Sequence, residues 1–205
     1  MSLDERRTRP PTEPAEEALR LLAARVADEG PPLAVVRSRP PAGPAFAALV
    51  ASGPRALADP AGYAFVIEAV REGYLCHYEV SRVLDRPDPD LALLAGDLFY
   101  AIGISRLAEL DDVESVRILS DLIRVSAELR SNGRRNESET MWVAAAMALS
   151  CGSDEDYERL SKALPASGAA VTEALEEWSD SLANTNGLGR ILVEVREAIH
   201  FASDS

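Results

Sequence analysis

The stretch His77-Tyr78-Glu79-Val80-Ser81-Arg82, HYEVSR, sits near the end of an apolar stripe, and its reading decides the fold. Val66, Val70, Gly73, His77, Val80 and Leu84 recur at intervals of three and four, so one helix is expected from Asp59-Pro60 to about Leu84. Asp59 offers an N-cap side chain, and Pro60 suits the first helical position because its missing N–H would have no partner there.

Working outward, the same punctuation recurs. A helix is expected from about Pro14 to Glu29, with Leu19, Leu22, Ala23 and Val26 on its apolar face and Gly30-Pro31-Pro32 as its stop. Residues 37–44, RSRPPAGP, read as a proline-rich connection, and AFAALVASG as a short helix. Asp88-Pro89 repeats the cap-plus-proline signal and opens a helix over about 90–110, with Leu91, Leu94, Leu98, Ile102 and Leu107 as its face. Asp111-Asp112 marks a restart, followed by a stripe of Val116, Leu119, Ile123 and Leu129. Asn136 with Glu139 three residues on reads as a capping box for a helix to Leu149. Further helices are expected at about 153–164, 168–184 and 188–202. No strand pattern and no repeat stand out. The expected fold is all-α, a multi-helix antiparallel bundle in one domain over residues 14–205, behind a disordered, charged and proline-rich tail over residues 1–13.

Composition narrows the function. The 205 residues carry a net charge of −13. A nucleic-acid partner needs a basic face, and an anionic membrane repels such a chain, so neither is expected as a partner. No apolar run is read as reaching the roughly 18 residues of a membrane span, and the N-terminus has no apolar leader core, so a cytoplasmic location without stable membrane insertion is expected. Lys162 is the only lysine, which excludes lysine chemistry elsewhere. Cys76 and Cys151 lie in apolar helical surroundings and read as reduced, buried thiols. Two cysteines and two histidines at these spacings assemble no zinc site, and no cofactor is expected.

Three ordered segments carry a resemblance. Glu68, Leu75 and His77 fall in one helix, LLAGD at Leu93–Asp97 opens the next, and ETMWVAAAMALSCGSDEDYERL follows from Glu139. Over Ala64 to about Leu164 the chain resembles the trans-isoprenyl diphosphate synthases. That resemblance implies a truncated version of their helical fold, with Gly96 and Asp97 at the second element and Thr140 at the threonine of a Lys-Thr motif. It also implies that three metal-binding aspartates would fall at Tyr78, Glu79 and Arg82. In the family such carboxylates project from one side of a helix and hold magnesium on a diphosphate. Here one carboxylate remains, and a guanidinium stands at the third position. Glu139 reverses the charge of the Lys-Thr lysine, and no second aspartate motif follows residue 164. His77, Tyr78, Glu79, Arg82, Gly96, Asp97, Glu139 and Thr140 are therefore read as degenerate motif positions, with no catalytic residue and no metal ligand among them.

Other acids have simpler readings. Asp111-Asp112, Asp85/Asp88/Asp90 and Asp154-Glu155-Asp156 lie at helix starts or turns, where they cap and favour the dipole. His77 on the stripe reads as a hydrogen-bonded core histidine, His200 as a surface residue, and Trp142 and Trp178 as anchors. A tunnel of the kind the resemblance implies would run past Ala95, Phe99, Gly103 and Ala127. The function expected is a non-catalytic accessory or regulatory subunit, a homo-oligomer or a hetero-oligomer with a catalytic prenyl diphosphate synthase. The alternatives are an unrelated helical interaction or scaffold protein, and an enzyme of different chemistry using His77, Glu79 and Asp97.

Overall fold

The computed structural model describes residues 13–31, 33, 36–37 and 46–203, the side chains of residues 13 and 200–203 excepted. Nearly all of the expected 1–13 tail, most of the 37–44 connection and the side chain of His200 thus lie outside the described residues. Among the described residues nine α-helices follow one another: α1 (Glu13–Ala27), α2 (Phe46–Ala51), α3 (Pro60–Tyr78), α4 (Pro89–Glu109), α5 (Val113–Ser131), α6 (Arg135–Cys151), α7 (Glu155–Ala163), α8 (Ala169–Asn186) and α9 (Gly189–Ser203). The described residues hold no strand, only an isolated antiparallel bridge between Val36 and Leu84. The all-α helical bundle expected from the periodicity is what forms.

The acids at helix starts are caps. Asp59, Asp88, Asp112 and Asp154 accept from the backbone N–H of Gly62, Leu91, Ser115 and Tyr157 at 2.8–3.0 Å. Each supplies an acceptor for an amide that the helix itself leaves without one. The capping box at Asn136 does not form. α6 begins two residues earlier than that box would start it, Arg134 caps it without a side-chain bond, and Glu139 turns inward instead of back to the helix start.

Two helices form the centre. In α6, Met141 to Ser150 is buried throughout, and α2, α5 and α8 pack around it. In α3, buried residues run almost without a break from Gly62 to Cys76, against α1, α2 and α4. A second cluster joins Leu19, Leu22 and Val26 of α1 to Cys76, Val83, Leu84, Ala95 and Phe99.

Two expectations from the opening stretch are corrected. α3 ends at Tyr78, six residues short of Leu84, and Val80 is 72% exposed rather than part of the buried stripe. The cause is Glu72, whose carboxylate accepts from Ser81 Oγ, Arg82 N, Arg82 Nε and Val83 N. Those donors draw residues 81–83 back alongside α3, a path a continuing helix could not take.

α4 is corrected too. Its buried face is Ala95, Gly96, Phe99, Gly103 and Leu107, whereas Leu94 is 69% exposed. A Cβ on Gly96 would meet the His77 ring at 2.7 Å and the Gly73 carbonyl at 3.2 Å, and one on Gly73 would meet the Tyr100 ring at 2.5 Å. One on Gly103 would meet Val70 at 2.7 Å. The two backbones approach through glycine, which turns the larger leucines outward. α4 is also long and apolar enough to pass as a membrane span by length and composition, and only 28% of that window is buried. Asp90, Asp97 and Arg106 hide the run from an eye looking for uninterrupted apolar residues.

Candidate functional site at the junction of α3 and α4

The degenerate motif positions divide into three groups. His77, Tyr78, Glu79, Gly96 and Asp97 meet where α3 ends beside α4. His77 Nε2 lies 3.2 Å from Asp97 Oδ1, and its ring stacks on Tyr100 at 5.3 Å with planes 16° apart. The ring is therefore held by a partner on α4, half in the core as a packed histidine. Tyr78 packs on Tyr74 at 5.2 Å and lies beneath the Arg130 guanidinium at 5.5 Å. Glu79, just past the helix end, pairs with Arg130 at 3.4 Å and Arg135 at 3.1 Å. The Glu79 carboxylate is thus bound by two arginines from α5 and α6.

Arg82 forms the second group, beneath the junction. Its guanidinium reaches Glu72 at 2.6 Å and Glu68 at 2.7 Å, and all three side chains are buried. Glu68 also accepts from Ala47 N, near the start of α2. Burial works against the guanidinium charge, yet Glu68 and Glu72 more than offset it, so Arg82 stays charged. Arg82 is a strut tying the 79–84 turn to α3.

Glu139 and Thr140 form the third group, on α6. Glu139 Oε1 accepts from Arg71 Nη2 at 3.0 Å in a buried pair. The Arg71 guanidinium also lies over the rings of Tyr74, Trp142 and Phe46 at 4.7, 4.8 and 5.4 Å. A carboxylate at Glu139 thus has a local role, since a lysine there would oppose Arg71. Thr140 Oγ1 turns the other way, to the Asn136 carbonyl and to Glu176, each at 3.3 Å.

A cavity of about 470 Å³ opens at the junction, with Cys76, His77, Glu79, Val80 and Leu93 in its wall. Cys76 brings no nucleophile. Burial, with the nearby Glu72 charge, pushes its thiol up to about 12 against a smaller opposing effect of Ser81, so the sulfur stays protonated. Among the described residues no three His, Cys, Asp or Glu side chains stand where they could share a metal ion. Ala95, Phe99 and Gly103, expected along a tunnel, are packed into the α3–α4 contact.

A second cavity, of about 450 Å³, lies further along α4, lined by Phe65, Leu98, Ala101 and Ile102 with Arg25, Arg106 and Glu109 at its edge. Between the two cavities runs the outward face of α4, where Leu93 is 49% and Leu94 69% exposed. This face went unrecognised in the sequence because large leucines were assigned to the core. The signal was present in Gly73, Gly96 and Gly103, the residues that allow a close helix contact.

Compared with family models, curated proteins and solved structures, the chain matches none.

Proposed function

We propose that this chain is a non-catalytic helical subunit that works by association, through the outward face of α4. The observation that carries this reading is an apolar helix, only 28% of its most apolar window buried, with Leu93 and Leu94 exposed on it and Val80 exposed beside it. Contiguous apolar surface of this kind marks an interaction site on a protein. Asp90 and Asp97 flank the leucines, which favours a partner helix with an apolar stripe and basic flanks. The resemblance to isoprenyl diphosphate synthases names the kind of partner, a catalytic prenyl diphosphate synthase. The engagement of Glu79 by two arginines and of Arg82 by two glutamates supports a structural use of the motif positions.

The test is capture from the host lysate with the wild-type chain and with Leu94→Glu, partners being identified by mass spectrometry. A full-length prenyl diphosphate synthase recovered in stoichiometric amount by the wild type, and lost with Leu94→Glu, is the expected outcome. Recovery by both chains would move the interface away from α4. A wild-type chain that returns with partners unrelated to isoprenoids would overturn the accessory-subunit reading and leave a helical interaction protein of another kind.

A further inference from the structure

The open cavity of about 470 Å³ at the junction of α3 and α4 falls within the roughly 300–1,000 Å³ of small-molecule sites. Most ionisable groups in its wall are engaged. His77 is held by Asp97, Glu79 by Arg130 and Arg135, and the Cys76 thiol is protonated. Arg37 and Arg86 remain.

Arg37 is fixed in place. Its backbone N–H donates to the Val83 carbonyl at 2.7 Å, and its Nε donates to the Leu84 carbonyl at 3.1 Å. Nη1 lies 3.4 Å from Asp85 Oδ1, and Nη2 has no partner among the described residues. The guanidinium is thus oriented with donors left over. Arg86, exposed at the cavity mouth, has no side-chain hydrogen bond or ion pair among the described residues, and its φ is +52°. Among the described non-glycine residues only Asp111 shares a positive φ, and aspartate tolerates that region through its short polar side chain. Arginine has no such compensation, and the following Pro87 favours extended backbone instead. Backbone held in a sparsely populated conformation recurs at ligand clamps. Here it accompanies a free guanidinium on the cavity wall.

The wall also selects the ligand. Two guanidiniums bring donors and no acceptor, so the group they meet must accept and carry negative charge. The Asp85 and Glu79 carboxylates stand close by, which favours a single negative charge over a multiply charged group such as phosphate. Val80, Pro87, Pro89, Ala92 and Leu93 make the remaining surface apolar.

We propose that this cavity binds a monocarboxylate with a hydrocarbon tail, its carboxylate accepting from Arg37 and Arg86 and its tail lying on Val80 and Leu93. The site stands apart from docking through Leu94, which is not in its wall.

The test is a titration of the full chain, labelled for methyl and amide NMR, with sodium hexanoate, using 1-hexanol and sodium phosphate as matches for the tail and for the charge. Saturable shifts of the Val80 and Leu93 methyls and the Arg86 amide are expected with hexanoate and not with either match. Arg86→Gly is expected to weaken binding a few-fold without lowering the melting temperature, because glycine adopts a positive φ freely. Adding Arg37→Gln is expected to bring the loss to roughly tenfold or more, as loss of charge-assisted bonds does. Leu94→Glu is expected to leave hexanoate affinity unchanged, so failure of the docking face and failure of this site are told apart. No saturable response to hexanoate, an equal response to hexanol or phosphate, shifts spread over the apolar surface, or affinity unchanged in Arg86→Gly would overturn the proposal.

Discussion

Arg82 shows how much one side chain at an unexpected position can hold. Its guanidinium faces two fully buried carboxylates, and its own backbone N–H donates to one of them. Replacing it with methionine would leave Glu68 and Glu72 buried together with no counter-charge. Removing one partner of a buried pair costs about 3–5 kcal/mol, and here two carboxylates lose theirs. Arg82→Met is therefore expected to destabilise the chain by at least that much, checked by urea unfolding, and Glu79→Gln, at a pair nearer the surface, by no more than about 1 kcal/mol. Asp112 gives the matching case for acid. Burial alone would raise its pKa, but the Ser115 and Tyr63 hydroxyls, the Ser115 N–H and the Arg55 guanidinium hold it well below the ordinary carboxylate range. A folded-state pKa below the unfolded value of about 3.9 means the stabilisation is complete above that pH and is lost progressively as pH falls from there through the folded value. Below about pH 4 the wild-type melting temperature is thus expected to fall more steeply than that of Asp112→Asn, which has already given up this contribution at neutral pH.

At the scale of elements, the contact between α3 and α4 rests on the absence of side chains. Gly96→Ala would place a methyl 2.7 Å from the His77 ring and 3.2 Å from the Gly73 carbonyl. Backbone cannot yield as a flexible side chain can, so the helices must part, at a cost of about 1–3 kcal/mol. The expected outcome is a lower melting temperature together with a change in the near-UV signal of Tyr100, which stacks on His77. Gly133→Ala, at a φ of +72° with open space around it, is expected to cost less, through backbone strain alone. The contrast explains what was legible in the sequence. Helix starts were readable because Asp-Pro and similar signals act locally, through a side chain three residues from the amide it caps. The end of α3 was not, because the donors that stop the helix act on Glu72 from residues 81–83, and no local pattern marks a buried carboxylate as a turn organiser. A hint was available in the pattern itself: Glu68, Arg71 and Glu72 lie in a helix with apolar residues on every side, so those charges have no solvent face and must find partners inside. Among the site positions, the absence of a carboxylate at Tyr78 and Arg82 was legible. The partners that hold Glu79 and Glu139 were not, since they come from elements more than fifty residues away, and those of Arg82 sit on α3 beyond the reach of any helical spacing.

At the scale of the whole molecule, α4 separates what stabilises the chain from what it presents outward. Phe99 is fully buried against α1 and α3, and Leu94, five residues earlier, is 69% exposed on the same helix. Stability and association should therefore respond to different residues of one element. Phe99→Ala is expected to cost about 3–5 kcal/mol, the price of emptying an aromatic site in a close-packed core. Leu94→Glu touches little of the core and is expected to change stability by no more than about 0.5 kcal/mol. Association should follow the opposite order, because a carboxylate on the α4 face would have to be desolvated against an apolar partner surface and would join Asp90 and Asp97 in like-charge repulsion. Paired thermal melts and sedimentation velocity on the two variants, alone and with the partner, separate these effects. If Leu94→Glu destabilised the isolated chain as strongly as Phe99→Ala, the outward leucines would belong to the core of this subunit, and the α4 face would lose its claim as a docking surface.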